Sequence, residues 1–343
     1  MAEHLPFPFL AMVGQLEMRT ALMLAVINPA IGGVLLIGPR GTGKTTCVRS
    51  LTDLLPYNEI VDEDDDPLID PDATGEAEPQ VHYEPVKLVE LPLNARLEDV
   101  VGGVNERIAV QQGRVRLERG ILSRADQNLL YIDEVNLLDD LLVDAILDAA
   151  AQGSYTVRRG AMSGTYRARF VLIGSMNPEE GRLRPQIMDR FGLRVPVQGL
   201  HDSAQRLEVY QRVRRYQTNR RRFLAEWAEL TAQAREEIIL ARDLLKETEL
   251  NDQAIEIGLT LINKLGIDSH RAEYAMFEAA RAHAAADGRD IADIGDIRAV
   301  APMALRQRRS QFMVDFFNRQ SDEDAAIQSG VDELVADWEK GGA

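Results

Sequence analysis

Residues 38–45 read Gly-Pro-Arg-Gly-Thr-Gly-Lys-Thr, which matches the phosphate-binding pattern G-x-x-x-x-G-K-[ST]. The apolar run at residues 33–37 precedes this stretch, and a helix is predicted from about residue 43 to residue 55. A true phosphate loop requires this order of buried strand, glycine-rich loop and helix, because backbone N–H groups and the helix N-terminus then face the anion. The stretch therefore predicts nucleotide binding by an α/β domain with a parallel sheet.

The residue types within this loop each have a chemical reason. Glycines let the backbone approach a phosphate closely. Lys44 would reach the β and γ phosphates, and Thr45 would ligate Mg²⁺. We expect nucleotide contacts from the loop and from the first turn of its helix, namely from Gly38, Pro39, Arg40, Gly41, Thr42, Gly43, Lys44, Thr45 and Thr46.

Two carboxylates and one amide follow two further apolar runs. Asp133 and Glu134 come directly after a strand predicted at residues 129–132, and Asn177 follows a strand predicted at residues 170–173. The carboxyl ends of parallel strands form the ligand-binding edge of an open α/β sheet. Asp133 would hold Mg²⁺ through water, and Glu134 would be the base that polarises the attacking water. Asn177 either contacts that water or the γ-phosphate, or serves only as a turn residue.

The composition restricts the class of protein. The chain has 343 residues, which suggests two domains or one large domain, and its 55 acidic and 39 basic residues give a formal charge of −16. Such a charge disfavours general binding to nucleic acids or anionic membranes. The single cysteine, Cys47, excludes an intramolecular disulfide and a cysteine-based zinc site. With no apolar run long enough for a transmembrane helix and no signal or transit peptide pattern in residues 1–10, we expect a cytoplasmic protein.

Strand and helix patterns divide the chain into two predicted domains. Strands alternate with helices up to about residue 200, and helices alone follow. This order is typical of an α/β domain followed by an all-α domain. We therefore predict an α/β domain over residues 1–200 and an all-α domain over residues 201–343, whose acidic C-terminus is expected to fray.

Several segments within these domains have a distinct character. Alternating stretches around glycines predict β-hairpins at about residues 105–120 and 154–169. Residues 61–79 are rich in aspartate, glutamate and proline, which indicates a solvated loop. In the second domain, helical periodicity predicts helices over residues 203–230 and 232–247.

Three arginines are candidate cations for a transferring phosphoryl group. Arg184 and Arg190 lie near the end of the α/β part, and Arg271 begins a helix in the all-α part. An arginine from a neighbouring subunit can stabilise charge on that group. Most arginines are surface salt-bridge partners, however, so the residue type alone does not distinguish the two roles.

Taken together, these motifs resemble those of AAA+ ATPases and, more narrowly, the ATPase I subunit of magnesium chelatase. The resemblance runs from Phe7 to about Arg309. It implies an α/β P-loop NTPase (AAA+) domain followed by an all-α C-terminal lid domain. The narrower match depends on stretches that are longer than the motifs that AAA+ chains share in general. These stretches are residues 91–95 (Leu-Pro-Leu-Asn-Ala), 101–103, 131–140, 177–181 (Asn-Pro-Glu-Glu-Gly), 183–186 and 188–192.

This resemblance implies roles that the patterns alone do not assign. Val13 and Gly14 would line the adenine pocket. Asn177 would be the first sensor of the γ-phosphate, Arg190 the arginine finger that acts across a subunit interface, and Arg271 the second sensor. The stretch around Arg271 lacks the glycine that usually follows this arginine in the family. The two hairpins would be the insertions in the second helix and before the first sensor that mark this AAA+ branch.

The resemblance also implies a function. The chain would bind ATP and Mg²⁺, form a homo-oligomeric ring, expected to be a hexamer, and hydrolyse ATP. It would act with an AAA+-like subunit that bears a metal-dependent adhesion domain. Together they would drive a large porphyrin-binding subunit that inserts Mg²⁺ into protoporphyrin IX in chlorophyll or bacteriochlorophyll biosynthesis. The five histidines show no metal-ligand spacing, which agrees with a chelation site on another subunit.

Other functions stay open at this point. MoxR-type AAA+ proteins and cobaltochelatase small subunits share the phosphate loop, the acidic pair and adhesion-domain partners, although the stretches at 91–95 and 177–181 favour magnesium chelatase. The negative charge disfavours a nucleic-acid motor, and the intact motifs disfavour an inactive regulatory subunit. One basic cluster consists of Arg212, Arg214, Arg215, Arg220, Arg221 and Arg222. This cluster would either bind nucleic acid or form one face of a helix that pairs with acidic residues of the protein.

Overall fold

The computed structural model describes residues 6–62, 80–104, 117–159 and 162–309. Nearly all of the predicted acidic loop, the centre of the first predicted hairpin and the acidic C-terminus lie outside these residues. Within the described ranges, no helix combines the length and the apolarity that crossing a lipid bilayer would need.

A five-stranded parallel sheet forms the centre of the α/β part. Its strands are β1 (Val34–Ile37), β4 (Leu88–Leu91), β7 (Leu129–Ile132), β10 (Val171–Met176) and β11 (Leu193–Pro196). Their spatial order is β11-β1-β10-β7-β4, and every pair is parallel. The three central strands are buried along their whole length, as their continuous apolar runs predict.

Helices cover both faces of this sheet. They are α1 (Leu16–Ile27), α2 (Lys44–Leu51), α3 (Leu97–Val101), α4 (Ile121–Arg124), α5 (Asp140–Gln152) and α6 (Pro185–Arg190). Successive side chains of a strand point to opposite faces, so neighbours in β7 enter different cores. Tyr131 packs with residues of α1 and α2, whereas Leu130 packs with residues of α5. The two faces together bury the apolar stripes of these helices.

Among the described residues, three antiparallel strand pairs lie outside the central sheet. They are β2 (Tyr57–Asp62) with β3 (Gln80–Pro85), β5 (Gly102–Val104) with β6 (Leu117–Arg119), and β8 (Ser154–Arg159) with β9 (Met162–Arg167). The sequence did not predict the pairing of β2 with β3. The predicted loop at residues 61–79 begins too early, because Val61 and Asp62 belong to β2. The pairing of β8 with β9 continues to Arg159 and Met162, so two residues separate these strands.

The part of the chain beyond β11 is helical. Its helices are α7 (Ser203–Thr218), α8 (Arg220–Leu244), α9 (Asp252–Leu265), α10 (His270–Ala286) and α11 (Ile294–Leu305). The predicted break between residues 230 and 232 is wrong, because the chain breaks at Asn219 instead. The Asn219 backbone is not helical there, with φ −151° and ψ 86°, and its side chain accepts a hydrogen bond from the backbone N–H of Arg222 at 3.0 Å, which caps α8. Two short strands, Glu249–Leu250 and Ile291–Ala292, also pair in parallel within this region.

One buried arginine and one half-buried arginine attach this helical part to the α/β part. The Arg308 side chain is fully buried and donates to Asp189 Oδ1 at 2.7 Å and to the carbonyl oxygens of Phe191 and Gly192 at 3.0 Å each. Arg242 of α8 donates to the carbonyl oxygen of Val26 at 2.9 and 3.0 Å. These bonds satisfy carbonyl groups at the ends of elements, and they connect the helices to the sheet that carries the phosphate loop.

Candidate nucleotide-binding site

The phosphate loop lies between β1 and α2, as its sequence predicts. Gly41 and Gly43 have φ values of +78° and +89°, a left-handed conformation that favours glycine. Gly38 is required for a different reason, because a Cβ there would lie 2.0 Å from the carbonyl oxygen of Val197. Lys44 is buried, and its Nζ donates to the carbonyl oxygens of Gly38 at 2.7 Å and Pro39 at 2.8 Å. Burial lowers the pKa of Lys44, and nearby carboxylates oppose that shift.

A buried hydrogen-bond network joins this loop to the acidic pair. Asp133 Oδ2 lies 3.4 Å from Thr45 Oγ1, so the two predicted Mg²⁺ ligands are neighbours. The Tyr131 hydroxyl lies 3.2 Å from Thr45 Oγ1 and donates to Asp133 Oδ1 at 2.8 Å. The Ser175 hydroxyl also donates to Asp133 Oδ1 and accepts the backbone N–H of Glu134 at 3.1 Å. Burial raises the pKa of the Tyr131 phenol well above its ordinary value.

The Glu134 carboxylate contacts Arg40 of the phosphate loop. Arg40 lies 3.0 Å from Glu134 Oε1 and 2.7 Å from Glu180 Oε1, and its own side chain is 69% exposed. The two carboxylates raise the pKa of Arg40. Asn177 donates from Nδ2 to Glu180 Oε1 at 3.2 Å and accepts the backbone N–H of Glu179 at 3.2 Å. Asn177 therefore acts as a turn residue, and its side-chain amide also contacts Glu180, which in turn pairs with Arg40.

Two adjoining clefts surround the loop. The polar cleft is lined by Arg40, Gly41, Thr42, Gly43, Lys44, Thr45, Thr46, Asp133, Glu134, Ser175, Met176 and Asn177. The second cleft, of about 500 Å³, shares four of these residues, namely Gly41, Thr42, Gly43 and Thr46. Its other walls are largely apolar and include Val13, Leu200 and Tyr210. A phosphate chain in the polar cleft could therefore extend to an apolar base in the second cleft.

Gly14 lies beside the second cleft and is not among the residues that line it. Its φ is +64°, and a Cβ at this position would lie 2.7 Å from Leu200 Cδ2. Gln15 lines the cleft and donates to the carbonyl oxygen of Gln198 at 2.6 Å. Gly14 thus shapes the wall by allowing a tight turn, whereas Val13 and Gln15 form its surface.

The three candidate arginines lie outside both clefts. Arg190 forms ion pairs with Asp148 and, at 3.8 Å, with Asp144. Arg271 is 56% exposed, and its Nη1 lies 3.7 Å from Asp189 Oδ2. Arg184 pairs with Asp140 on the surface. The structure thus brings Lys44, Thr45, Asp133, Glu134 and Asn177 together but does not bring Arg184, Arg190 or Arg271 to the same clefts.

Three residues of the site escaped the sequence analysis. Tyr131 reads as one more core residue of an apolar strand, Ser175 reads as a small residue near a strand end, and Glu180 reads as part of a turn. One signal for Tyr131 was available, because it lies two residues before Asp133 and therefore on the same face of the strand. No comparable signal exists for Ser175, which reaches Asp133 only through the pairing of β10 with β7.

The fold and the site together define a class of protein. Numbered along the chain, the five sheet strands lie in the order 5-1-4-3-2, with the phosphate loop after the first and the acidic pair after the third. A family model described as "AAA lid domain" matches residues 260–329, which begin within α9. The protein is a P-loop ATPase of the AAA+ class.

Comparisons with known proteins narrow this class to one family. A family model described as "Magnesium chelatase, subunit ChlI" matches residues 102–186. The chain is 42% identical to the magnesium-chelatase subunit ChlI homolog of Methanocaldococcus jannaschii, over 92% of this chain and 89% of that protein. It is 39% identical to the magnesium-chelatase 38 kDa subunit of Chlorobaculum tepidum, over 89% and 81%. The chain belongs to the magnesium chelatase subunit ChlI family.

Solved structures agree with this assignment. A structure that models the complex between the BchI and BchD subunits of magnesium chelatase contains a chain that is 40% identical, with a TM-score of 0.51 over 91% of this chain and 99% of that one. A crystal structure from Cytophaga hutchinsonii has a TM-score of 0.58 at 20% identity, over 87% of this chain and 83% of that one, and so shares the fold alone.

Proposed function

We propose that this chain is the ATP-hydrolysing motor subunit of a magnesium chelatase, acting in the cytoplasm. The observation that carries the proposal is the convergence of Lys44, Thr45, Asp133 and Glu134 on one polar cleft at the carboxyl edge of the sheet. The first three are the groups that phosphate and Mg²⁺ binding require, and the fourth is a carboxylate suited to activating water.

The side chains in the cleft fit Mg²⁺ as the nucleotide's metal ion. Mg²⁺ prefers oxygen ligands, and the structure places a hydroxyl oxygen of Thr45 beside a carboxylate oxygen of Asp133, 3.4 Å apart. When bound, the ion would neutralise charge that develops on the phosphate oxygens. Thr45 and Asp133 would hold it, directly or through water.

The remaining groups would divide the reaction among themselves. Backbone N–H groups of the loop and the Lys44 ammonium would bind the phosphates. To do so, Lys44 would give up its hydrogen bonds to the carbonyl oxygens of Gly38 and Pro39. Glu134 would take a proton from the attacking water once its carboxylate leaves Arg40. Asn177 would orient that water or the γ-phosphate through its side-chain amide.

The position of Arg190 supports its action on a neighbouring subunit. Arg190 pairs with Asp148 on α5 and lies outside its own chain's clefts, which agrees with a contact to the site of a neighbouring subunit. This requires a homo-oligomeric ring, which we propose to be a hexamer. Arg271 would act as the second sensor only after it leaves Asp189 and the lid moves toward the nucleotide.

The names of the relatives support the choice of client. One is named as a magnesium-chelatase subunit and another as a homolog of one, and one related structure models the complex between BchI and BchD. By this likeness, the chain would work with a BchD-like adhesion-domain subunit and with a large porphyrin-binding subunit that inserts Mg²⁺ into protoporphyrin IX. The inserted Mg²⁺ is substrate and is distinct from the ion held by Thr45 and Asp133.

The test combines a trapped ring with reconstitution. Glu134→Gln should retain ATP binding and abolish turnover, so that the ATP-bound assembly can be isolated from native extract with its partners. We expect to recover an adhesion-domain subunit and a large subunit that carries porphyrin. When wild-type chain is added to those two subunits, the fluorescence of Mg-protoporphyrin should appear. Recovery of an adhesion-domain protein alone, or of nucleic acid, would contradict the chelatase assignment.

A further inference from the structure

Two buried hydroxyl groups in the site have no role in the mechanism described so far. Tyr131 and Ser175 lie on the neighbouring strands β7 and β10, and each is about 1% exposed. Phenylalanine and alanine would fill these positions with apolar atoms alone. A buried hydroxyl is costly unless it finds hydrogen-bond partners, so its partners indicate what it does.

Both hydroxyls donate to the same oxygen of Asp133. Tyr131 Oη lies 2.8 Å from Oδ1, and Ser175 Oγ hydrogen-bonds to that same atom. The other carboxylate oxygen, Oδ2, lies on the side of Thr45. Because two protein donors occupy Oδ1, the carboxylate is held with Oδ2 directed toward the second predicted Mg²⁺ ligand.

The same two hydroxyls contact the neighbouring residues of the mechanism. Tyr131 Oη lies 3.2 Å from Thr45 Oγ1, and Ser175 Oγ accepts the backbone N–H of Glu134 at 3.1 Å. Glu134 has φ 55° and ψ 53°, a left-handed conformation that residues other than glycine rarely adopt. The hydrogen bond from its N–H to Ser175 therefore helps to hold an unusual backbone.

Strand register explains why these groups meet. Ile173 of β10 pairs with Tyr131 of β7. Ser175 lies two residues further toward the carboxyl end of β10, alongside Asp133 and on the same face. The contact is thus built from the rigid centre of the sheet, where a functional group is held more firmly than on a loop.

We propose that Tyr131 and Ser175 are positioning residues for the Mg²⁺ and water sites of this ATPase. Tyr131 orients Asp133 and Thr45 as a pair, and Ser175 couples the Asp133 carboxylate to the backbone of Glu134. The inference rests on the proposed function, because it assigns residues within that same site.

The first test is Tyr131→Phe, which keeps the aromatic ring and removes only the hydroxyl. Loss of a partner to a metal ligand typically costs about 10–100-fold in metal affinity, so the free Mg²⁺ that gives half-maximal ATP turnover should rise by at least about 10-fold. Affinity for a fluorescent ATP analogue measured in EDTA should stay at the wild-type value. Damage to the fold would weaken this metal-free binding as well, which separates positioning from structural support.

The second test uses Ser175. Ser175→Ala should raise the Mg²⁺ requirement in the same way and should also lower turnover at saturating Mg²⁺, because the Glu134 backbone loses its hydrogen bond. Ser175→Thr keeps a hydroxyl and should restore both quantities. Equal losses in the alanine and threonine variants would show that volume rather than the hydroxyl is what matters at this position.

Tyr274→Phe is the matched control, because Tyr274 is an exposed tyrosine on α10. It should show the wild-type Mg²⁺ dependence. Wild-type Mg²⁺ dependence in Tyr131→Phe as well would overturn the proposal. The wild-type chain is measured before any variant. If it showed no Mg²⁺-dependent ATP binding or turnover, the proposed function would be wrong, whatever the variants showed.

Discussion

At the scale of single residues, the phosphate loop holds two cations in opposite environments. Lys44 is buried beneath the loop and bonds to two of its carbonyl oxygens. Arg40 extends into solvent and pairs with Glu134 and Glu180. Both residues are predicted nucleotide contacts, but their surroundings in the structure differ, so their removal should have different effects.

Lys44→Ala should abolish detectable ATP binding, because the phosphates lose their only buried cation among the described residues that line the polar cleft. Arg40→Ala should change ATP turnover by less than about 5-fold, since solvent screens an exposed ion pair and leaves it only a small contribution. Equilibrium binding of a fluorescent nucleotide and steady-state turnover would measure the two effects. A loss above about 10-fold in Arg40→Ala would mean that Arg40 contacts the nucleotide directly, since exposed pairs are too weak to explain it.

Cys47 on α2 offers a second prediction at this scale. It is fully buried, and burial raises the pKa of its thiol to about 12. The thiolate is the reactive form, so a raised pKa leaves very little of it at pH 8. The native protein should therefore resist alkylation by iodoacetamide at pH 8 and react rapidly in urea. Mass spectrometry would measure the alkylated fraction of one site only, because the chain has a single cysteine. Rapid alkylation of Cys47 in the native protein would contradict the prediction and show that α2 opens readily.

At the scale of elements, close helix packing in the lid depends on a small residue. Gly258 lies in the middle of α9, where a Cβ would meet Phe277 Cε1 at 2.6 Å and Met276 Cε at 2.9 Å. Both of these residues belong to α10, most of whose buried residues are alanines. The two helices therefore approach more closely than larger side chains would allow.

Gly258→Val should destabilise the protein by about 1–3 kcal/mol, because overpacking a core forces side chains or backbone to shift. Chemical denaturation followed by circular dichroism would measure the change. Glu256→Ala, on the exposed side of the same helix, is the control and should stay within about 0.5 kcal/mol of wild type. Equal stabilities for the two variants would mean that α9 and α10 can separate without cost.

At the scale of the whole molecule, Asp189 connects the lid to the segment that carries Arg190. Its carboxylate accepts hydrogen bonds from Arg308 at 2.7 Å and from Ser269 at 2.8 Å, and Arg271 lies 3.7 Å away. Asp189 precedes Arg190 in α6. A movement of the lid would therefore be transmitted to the proposed arginine finger through one carboxylate.

Arg308→Ala should lower the free energy of unfolding by about 3 kcal/mol, because removing one partner leaves a charge and several carbonyl oxygens without their donor. Burial lowers the pKa of Arg308, and Asp189 opposes that shift by stabilising the charged guanidinium. Denaturant unfolding would measure the loss. Arg309→Ala, at the neighbouring exposed position, should have little effect, and equal midpoints for the two variants would exclude this role for Arg308.

Two arginines of the basic cluster in the helical part contact acidic and aromatic side chains of the same two helices. Arg212 pairs with Glu208 and stacks on Trp227, and Arg215 pairs with Glu226. These contacts lie within the α7–α8 helix pair. They match the interpretation as a helix face that pairs with acidic residues, although α7 and α8 meet at Asn219 and not where periodicity predicted.

Local patterns in the chain predicted the sheet strands near residues 33–37, 129–132 and 170–173, the phosphate loop after the first of them and the acidic pair after the second, but no pattern predicted the edge strand β11. Apolar runs, glycine positions and charges at strand ends are properties of short segments, and the same segments form β1, β7 and α2. The assembly of the site depended on distant segments. Tyr131 and Ser175 are separated by 44 positions and meet because β7 and β10 pair in one register, and a shift by one residue would turn Ser175 to the other face. No local pattern encodes that register, since it follows from how the whole core packs.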